Sequence, residues 1–181
     1  QKPKKNFLKK VRKLADENNI VLIFDECTSG FRQNFGGLHL VYGVNPDILI
    51  LGKALGNGYA INAILGKKEL MKECKNTFIS STFWTERIGY VAANATLDLM
   101  KKIESWKSIS SIGKHLKQSW KEIAKSYSIK IDIKGIDALP IFYFKSENHN
   151  AYKTFISQEM LKKNILSSNV VYTSVSHQKH K

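Results

Sequence analysis

Cysteine is scarce in this sequence, which contains only Cys27 and Cys74, and long apolar runs are missing altogether. The two cysteines have no C-x-x-C spacing and no secretory signal is recognisable, a combination typical of a reducing environment. No apolar run approaches the roughly 18 residues that a membrane-spanning helix needs. We therefore expect a cytoplasmic protein without a membrane partner.

Several motifs of familiar enzymes are also missing. Three Gly-Lys pairs occur, at 52–53, 66–67 and 113–114, but none has the earlier Gly and the following Ser or Thr of a phosphate-binding P-loop. The H-E-x-x-H metal motif and the G-x-S-x-G nucleophile motif are not found either. We therefore expect no metal in the site.

Acidic residues are few, since 15 Asp and Glu stand against 29 Lys and Arg, and the formal net charge is +14. Only the first fourteen positions form a dense basic patch, and scattered lysines elsewhere are typical of solvated helix faces. No helix-turn-helix, zinc finger or aromatic RNA-binding strand is found, so a nucleic-acid partner is not expected. A non-enzymatic basic module that binds an acidic partner remains an alternative to an enzyme.

Two short apolar runs, at 20–24 and 48–51, stop abruptly at polar residues. The first run is followed by Asp25 and the second by Gly52 and Lys53. Runs this short and rich in β-branched residues are typical of strands buried on both faces of a parallel sheet. Because ligands bind at the carboxyl ends of such strands, Asp25 and Lys53 become the candidate site residues.

The order of the remaining patterns is typical of an α/β protein. In the first part we predict helices at 5–17, 67–75 and 86–103 and strands at 20–24, 48–51 and 61–65. The Gly-rich stretch 26–45 is predicted to be an active-site loop with a short helical turn. In the second part we predict helices at 105–127 and 151–163 and strands at 129–133, 139–144 and 170–175. We therefore expect a large domain with a mostly parallel sheet at 1–103 and a small α+β domain at 104–181.

An amine beside a carboxylate indicates a specific chemistry. A lysine amine that has lost its proton can form a Schiff base with an aldehyde, which is how enzymes hold pyridoxal phosphate (PLP). A carboxylate that faces the pyridine nitrogen of PLP keeps that nitrogen protonated, because an opposite charge favours the charged form. On spacing alone, a buried Asp25 that caps a helix and a surface Lys53 after a strand would explain the pattern equally well.

The motif residues resemble a known family. The stretches Val21 to Arg32 (VLIFDECTSGFR), Pro46-Asp47, Leu51 to Gly58 (LGKALGNG) and Ser81 to Phe83 are similar to the class III aminotransferases of PLP fold type I. Within that group, Gly-Phe-Arg at 30–32 is similar to glutamate-1-semialdehyde 2,1-aminomutase. Val175-Ser176-His177 also resembles the C-terminal strand of the family. These motifs are specific in combination.

The resemblance implies a role for each of four residues. Lys53 would be the internal-aldimine lysine and would move a proton between the substrate Cα and the cofactor C4′. Asp25 would pair with the pyridine nitrogen, and Cys27 would pack under the ring, where a small buried hydrophobe is the simpler description of the same position. Thr82 would contact the cofactor phosphate across a dimer interface, and a plain Ser/Thr turn is the alternative.

The resemblance further implies PLP-dependent amino-group transfer in a homodimer. The substrates would be a small-molecule amino donor and a carbonyl acceptor, or a single molecule in the aminomutase case. The sequence departs from many relatives at 84–87, where Trp-Thr-Glu-Arg replaces Ser-Gly-Asn-Pro. Similar enzymes also carry a long N-terminal portion with the phosphate loop, and a final helix. We therefore expect this chain to be a fragment that is inactive alone.

Overall fold

The computed structural model describes residues 3–177 of the chain. The chain divides into two compact units, one at 3–106 and one from residue 107 onward. No helix within the described residues is both long and apolar enough to cross a membrane.

The first unit contains a mixed three-stranded sheet and four helices. Its helices are α1 (Phe7–Glu17), α2 (Leu38–Tyr42), α3 (Lys68–Met71) and α4 (Ile88–Ile103). Its strands are β1 (Ile23–Asp25), β2 (Ile48–Leu51) and β3 (Ala63–Gly66). Short 3-10 turns at Lys53–Leu55 and Lys72–Asn76 follow β2 and α3. The predicted loop at 26–45 with a short helical turn is thus confirmed, and α2 is that turn.

The sheet has the order β1-β2-β3, with β1 parallel to β2 and β2 antiparallel to β3. Its register pairs Asp25 with Ile50 and Leu51 with Ala63. The prediction that the runs at 20–24 and 48–51 are buried on both faces is wrong for β1, and in β2 only Leu51 is fully buried. Ile23 is 52% exposed and Ile64 is 57% exposed, because nothing in the described part of the unit covers those faces of the sheet.

The core of the first unit lies between the end of β2 and helix α4. Phe31, Leu51, Leu55, Ala93 and Met100 form one buried cluster. Helix α4 thereby packs against the segment that contains the end of β2 and the turn after it, so the backbone on both sides of position 53 is anchored by buried side chains.

A buried carboxylate fixes the start of β2. Asp47 is 6% exposed and accepts hydrogen bonds from Lys67 Nζ at 2.6 Å, Arg12 Nη1 at 2.8 Å and the Leu22 backbone N–H at 2.7 Å. The bond to Lys67 contributes most to a pKa of Asp47 that is well below its usual range, followed by the bond from Leu22. One side chain therefore ties α1, the residue before β1 and the residue after β3 to β2.

The second unit is built on a two-stranded antiparallel sheet and two helices. The helices are α5 (Ser105–Ser126), whose first turn lies at the boundary between the units, and α6 (His149–Leu161). The strands are β4 (Ile131–Lys134) and β5 (Ile141–Phe144). The predicted strand at 170–175 is wrong, since only a single bridge between Val170 and Ile141 forms there. Pro140, next to that bridge, has no N–H to donate to a longer ladder.

Candidate functional site

Asp25 and Lys53 lie at the same edge of the sheet. Asp25 is the last residue of β1, and Lys53 follows the end of β2 by two residues. Because β1 and β2 are parallel neighbours, their carboxyl ends point in the same direction. The structure thus places the predicted carboxylate and amine on adjacent strands where a ligand would be expected.

Lys53 adopts an unusual backbone conformation at this edge. Its φ is +47°, in the left-handed region that residues other than Gly, Asn and Asp rarely adopt. Such a conformation costs on the order of 1 kcal/mol or more and persists where the surrounding structure enforces it, often at functional sites. The neighbouring core residues Leu51 and Leu55 are both buried and hold the chain on either side.

The amine of Lys53 has a partner that the sequence did not single out. Lys53 Nζ donates a hydrogen bond to Thr28 Oγ1 at 2.5 Å. Thr28 lies three residues beyond Asp25 in the motif that follows β1, so the β1 side of the site holds the lysine side chain. The Lys53 side chain is otherwise exposed and accessible to a ligand.

The carboxylate of Asp25 is held by its own loop. Asp25 Oδ1 accepts a hydrogen bond from the Cys27 backbone N–H at 3.0 Å. That bond is the main cause of a lowered pKa of Asp25, followed by the Cys27 side chain and the positive charge of Lys53. Asp25 is therefore an exposed anion at neutral pH, which is the form that a protonated ring nitrogen requires.

Cys27 is close enough to both charged residues to interact with them. Its thiol is free and half-buried, and burial, followed by the nearby Asp25 carboxylate, raises the pKa of Cys27. A raised pKa keeps the thiol neutral at pH 7. The Cys27 side chain thus offers a small, uncharged surface beside Asp25 and Lys53.

Glu26 forms a buried network beneath these residues. Its Oε1 accepts the His39 backbone N–H at 2.9 Å and lies 2.8 Å from His39 Nδ1, while Oε2 accepts from Ser29 Oγ at 2.9 Å and from the Leu38 N–H at 2.5 Å. Burial raises the pKa of Glu26, but these hydrogen bonds outweigh it and the pKa is lowered overall. The loop that carries Cys27 and Thr28 is thus fixed to the start of α2.

Thr82 is not brought to this cluster. It lies on the exposed loop between the 3-10 turn at Lys72–Asn76 and α4, and no hydrogen bond within residues 3–177 joins it to Asp25 or Lys53. The loop also exposes large apolar side chains, since Phe78 is 95% exposed and Trp84 is 56% exposed. Within one chain, therefore, three of the four predicted residues meet and the fourth does not.

A model of the class-III aminotransferase family matches residues 1–174. The chain belongs to this family. It is 34% identical over 154 residues to a 3-aminobutyryl-CoA aminotransferase of Cloacimonas acidaminovorans, covering 84% of this chain and 37% of that protein. It is 35% identical over 150 residues to a glutamate-1-semialdehyde 2,1-aminomutase of Methanocaldococcus jannaschii, covering 80% of this chain and 34% of that protein. The resemblance found in the motifs is thus confirmed.

Solved structures agree on the fold. The FumI protein of Sphingopyxis sp. MTA144, in its PLP internal aldimine form, superposes with a TM-score of 0.85 at 21% identity, covering 96% of this chain and 42% of that one. An omega-transaminase from Sphaerobacter thermophilus gives a TM-score of 0.82 at 22% identity, with coverages of 93% and 42%. The expected PLP fold type I is therefore confirmed, and PLP is supported as the cofactor of the family.

This chain spans about a third of the length of the curated relatives that it matches. The family membership favours an enzymatic origin over a basic binding module. The side chains described above fit PLP as a group, because an accessible amine, an anionic carboxylate and a neutral thiol lie together at one sheet edge.

Proposed function

We propose that this chain is the lysine-bearing part of a PLP-dependent enzyme that transfers amino groups. The observation that carries the proposal is the placement of Lys53 and Asp25 at the carboxyl ends of adjacent parallel strands in a class-III aminotransferase chain. The reaction of the parent enzyme would move an amino group from an amino donor to a carbonyl acceptor, or within one molecule as an aminomutase does.

In this proposal each residue has a defined task. PLP, when bound, withdraws electrons from the substrate Cα through its ring. Lys53 would be the residue to which the cofactor attaches by a Schiff base, and its Nζ would hold the proton that moves between the substrate Cα and the cofactor C4′. Asp25 would keep the ring nitrogen protonated, because its lowered pKa maintains a negative charge there. Cys27 would contact the ring.

The same proposal includes a homodimer and a second domain. Thr82 would bind the cofactor phosphate of a partner subunit, which fits its place on an exposed loop without a hydrogen bond to Asp25 or Lys53 within residues 3–177. The exposed apolar side chains Phe78, Phe83, Trp84 and Val91 surround it along the chain, and large exposed apolar patches mark protein interfaces. The second unit would be the small α+β domain of the enzyme, and the free cysteines fit a cytoplasmic location.

We further propose that these 181 residues alone do not catalyse. A displacement of about 1 Å in a reacting geometry can lower the rate roughly a hundredfold, so the cofactor must be held by many contacts. The described site supplies only some of them, from Asp25, Cys27, Thr28 and Lys53. The exposed Ile64 and Leu65 also favour association of the isolated chain.

Conversion of PLP to pyridoxamine phosphate in the presence of an amino acid tests this proposal. The purified chain is expected to give no conversion, whereas the complete reading frame is expected to give conversion that Lys53→Ala abolishes. Lys53-dependent turnover by the 181 residues alone would show that the chain is a complete enzyme. Full activity of the complete Lys53→Ala protein would refute the assignment of Lys53.

A further inference from the structure

Gly52, the residue before Lys53, contacts Asn62 across the sheet. The antiparallel register pairs Leu51 with Ala63, so the next position beyond the ladder places Gly52 opposite Asn62. A Cβ atom built on Gly52 would lie 2.2 Å from Asn62 Oδ1. The Asn62 carboxamide therefore packs directly on the bare backbone of Gly52, and a side chain at position 52 would displace it.

Cys27 also lies close to Gly52. The Cβ position of Gly52 is 3.4 Å from Cys27 Sγ, so Cys27 and Asn62 both face the backbone that leads into Lys53. The sheet order β1-β2-β3 places Thr28 on the β1 side of Lys53 and Asn62 on the β3 side. The Asn62 carboxamide thus lies against Gly52, the residue before Lys53, whereas the Thr28 hydroxyl binds the Lys53 amine.

The Asn62 carboxamide is available to a ligand. A carboxamide offers two N–H donors and one acceptor oxygen. Asn62 is exposed, and its side chain makes no hydrogen bond to another residue in the described part of the chain. PLP carries two anionic hydrogen-bond acceptors near its aldehyde group. One is the ring oxygen, and the other is the phosphate at the end of the neighbouring arm.

We infer that Asn62 is a further cofactor-contacting residue, whose carboxamide donates a hydrogen bond to an anionic oxygen of PLP from the β3 side of Lys53. This inference rests on the proposed function, because it takes PLP as the ligand at Lys53. A hydrogen bond to a charged acceptor contributes enough that its loss weakens binding by about tenfold or more.

Borohydride trapping at Lys53 tests the inference without an activity assay. The protein produced from the complete reading frame is titrated with PLP, the adduct is reduced, and the fraction of labelled Lys53 is measured by mass spectrometry at each concentration. Asn62→Ala is expected to raise the half-saturating PLP concentration about tenfold, and Asn62→Asp at least as much, since a carboxylate repels an anionic oxygen. The matched control is Asn94→Ala, an exposed asparagine on α4, which is expected to leave the titration unchanged.

Pyridoxal, which lacks the phosphate, identifies the oxygen. A loss confined to PLP assigns the contact to the phosphate, and an equal loss with pyridoxal assigns it to the ring oxygen. Unchanged titrations of Asn62→Ala with both compounds, while the parent chain labels normally, would overturn the inference alone. Absence of Lys53 labelling in the parent form of the complete protein would overturn the proposed function together with it. Circular dichroism of each variant confirms that the fold is retained.

Discussion

The amine of Lys53 donates a hydrogen bond to the hydroxyl of Thr28 at 2.5 Å. The two residues are 25 positions apart in the sequence and belong to the segments that follow two adjacent parallel strands. This contact holds the end of the flexible four-carbon side chain of Lys53. The backbone of Lys53 is already fixed in the left-handed region. A lysine held in this way loses less rotamer freedom when it meets a ligand.

Thr28→Val keeps the shape of the side chain and removes its hydroxyl. The Lys53 amine then has no acceptor at this position, and we expect trapping of PLP at Lys53 to weaken several-fold, as expected for one hydrogen bond of about 1 kcal/mol. Thr28→Ser, which keeps the hydroxyl, is expected to stay near the parent value. Equal trapping by the Val and Ser variants would contradict a role for the contact.

Asp25→Asn preserves shape but removes the negative charge. In the complete enzyme we expect turnover to fall by orders of magnitude, because a neutral ring is a poor electron sink, while the melting temperature changes little. Since the pKa of Asp25 is lowered, the parent carboxylate should stay charged as the pH falls to about 4 and somewhat below. Near-normal turnover of Asp25→Asn at pH 7 would refute the pairing with the ring nitrogen.

Asp47 is expected to make stability depend on pH. Its pKa in the folded state is depressed, so its contribution is present above the ordinary carboxyl pKa of about 3.9 and is lost as the pH falls below it. At pH 7, Asp47→Asn should lower the free energy of unfolding by about 2 kcal/mol. The difference from the parent in urea unfolding should shrink toward pH 3.

The exposed Asp98 on α4 provides the matched control for that experiment. Asp98→Asn is expected to change the free energy of unfolding by less than about 0.5 kcal/mol at either pH. A deficit of Asp47→Asn that stayed constant from pH 7 to pH 3 would show that packing, and not the charge of Asp47, stabilises the start of β2.

Glu26→Gln tests the network beneath the site. Both oxygens of Glu26 accept hydrogen bonds, so an amide nitrogen would face a donor whichever way the Gln side chain turned. We expect a loss of about 1–3 kcal/mol in unfolding free energy and weaker trapping at Lys53, because the loop with Thr28 is released. Ser29→Ala removes only one of these bonds and should have a smaller effect. A Gln variant as stable as the parent would contradict this reading of the network.

The sequence predicted the elements that depend on local pattern. The amphipathic spacing before Asn18 predicted α1, and the apolar run at 48–51 matches β2 residue for residue. Because two parallel strands end at one edge, the meeting of Asp25 and Lys53 also followed from the pattern.

Other features depend on contacts distant in the sequence. The contact between Glu26 and His39 joins residues 13 positions apart, and no periodic sequence pattern links them. In the sequence, Glu26 is only a second carboxylate next to Asp25. Asn62 gains its position from the register of β3, which a short apolar run does not define. The exposure of Ile23 could not be predicted either, because an apolar strand does not specify what covers it.

The central claim is that Lys53 is the attachment residue for PLP. The direct test is to incubate the protein produced from the complete reading frame with PLP, reduce with borohydride and locate the modified lysine by peptide mapping, with Lys53→Ala in parallel. We predict a saturable modification at Lys53, which lies at the sheet edge beside Asp25 and Thr28, and its loss in the variant. Modification spread over the many exposed lysines, with Lys53 no more labelled than the others, would contradict the account.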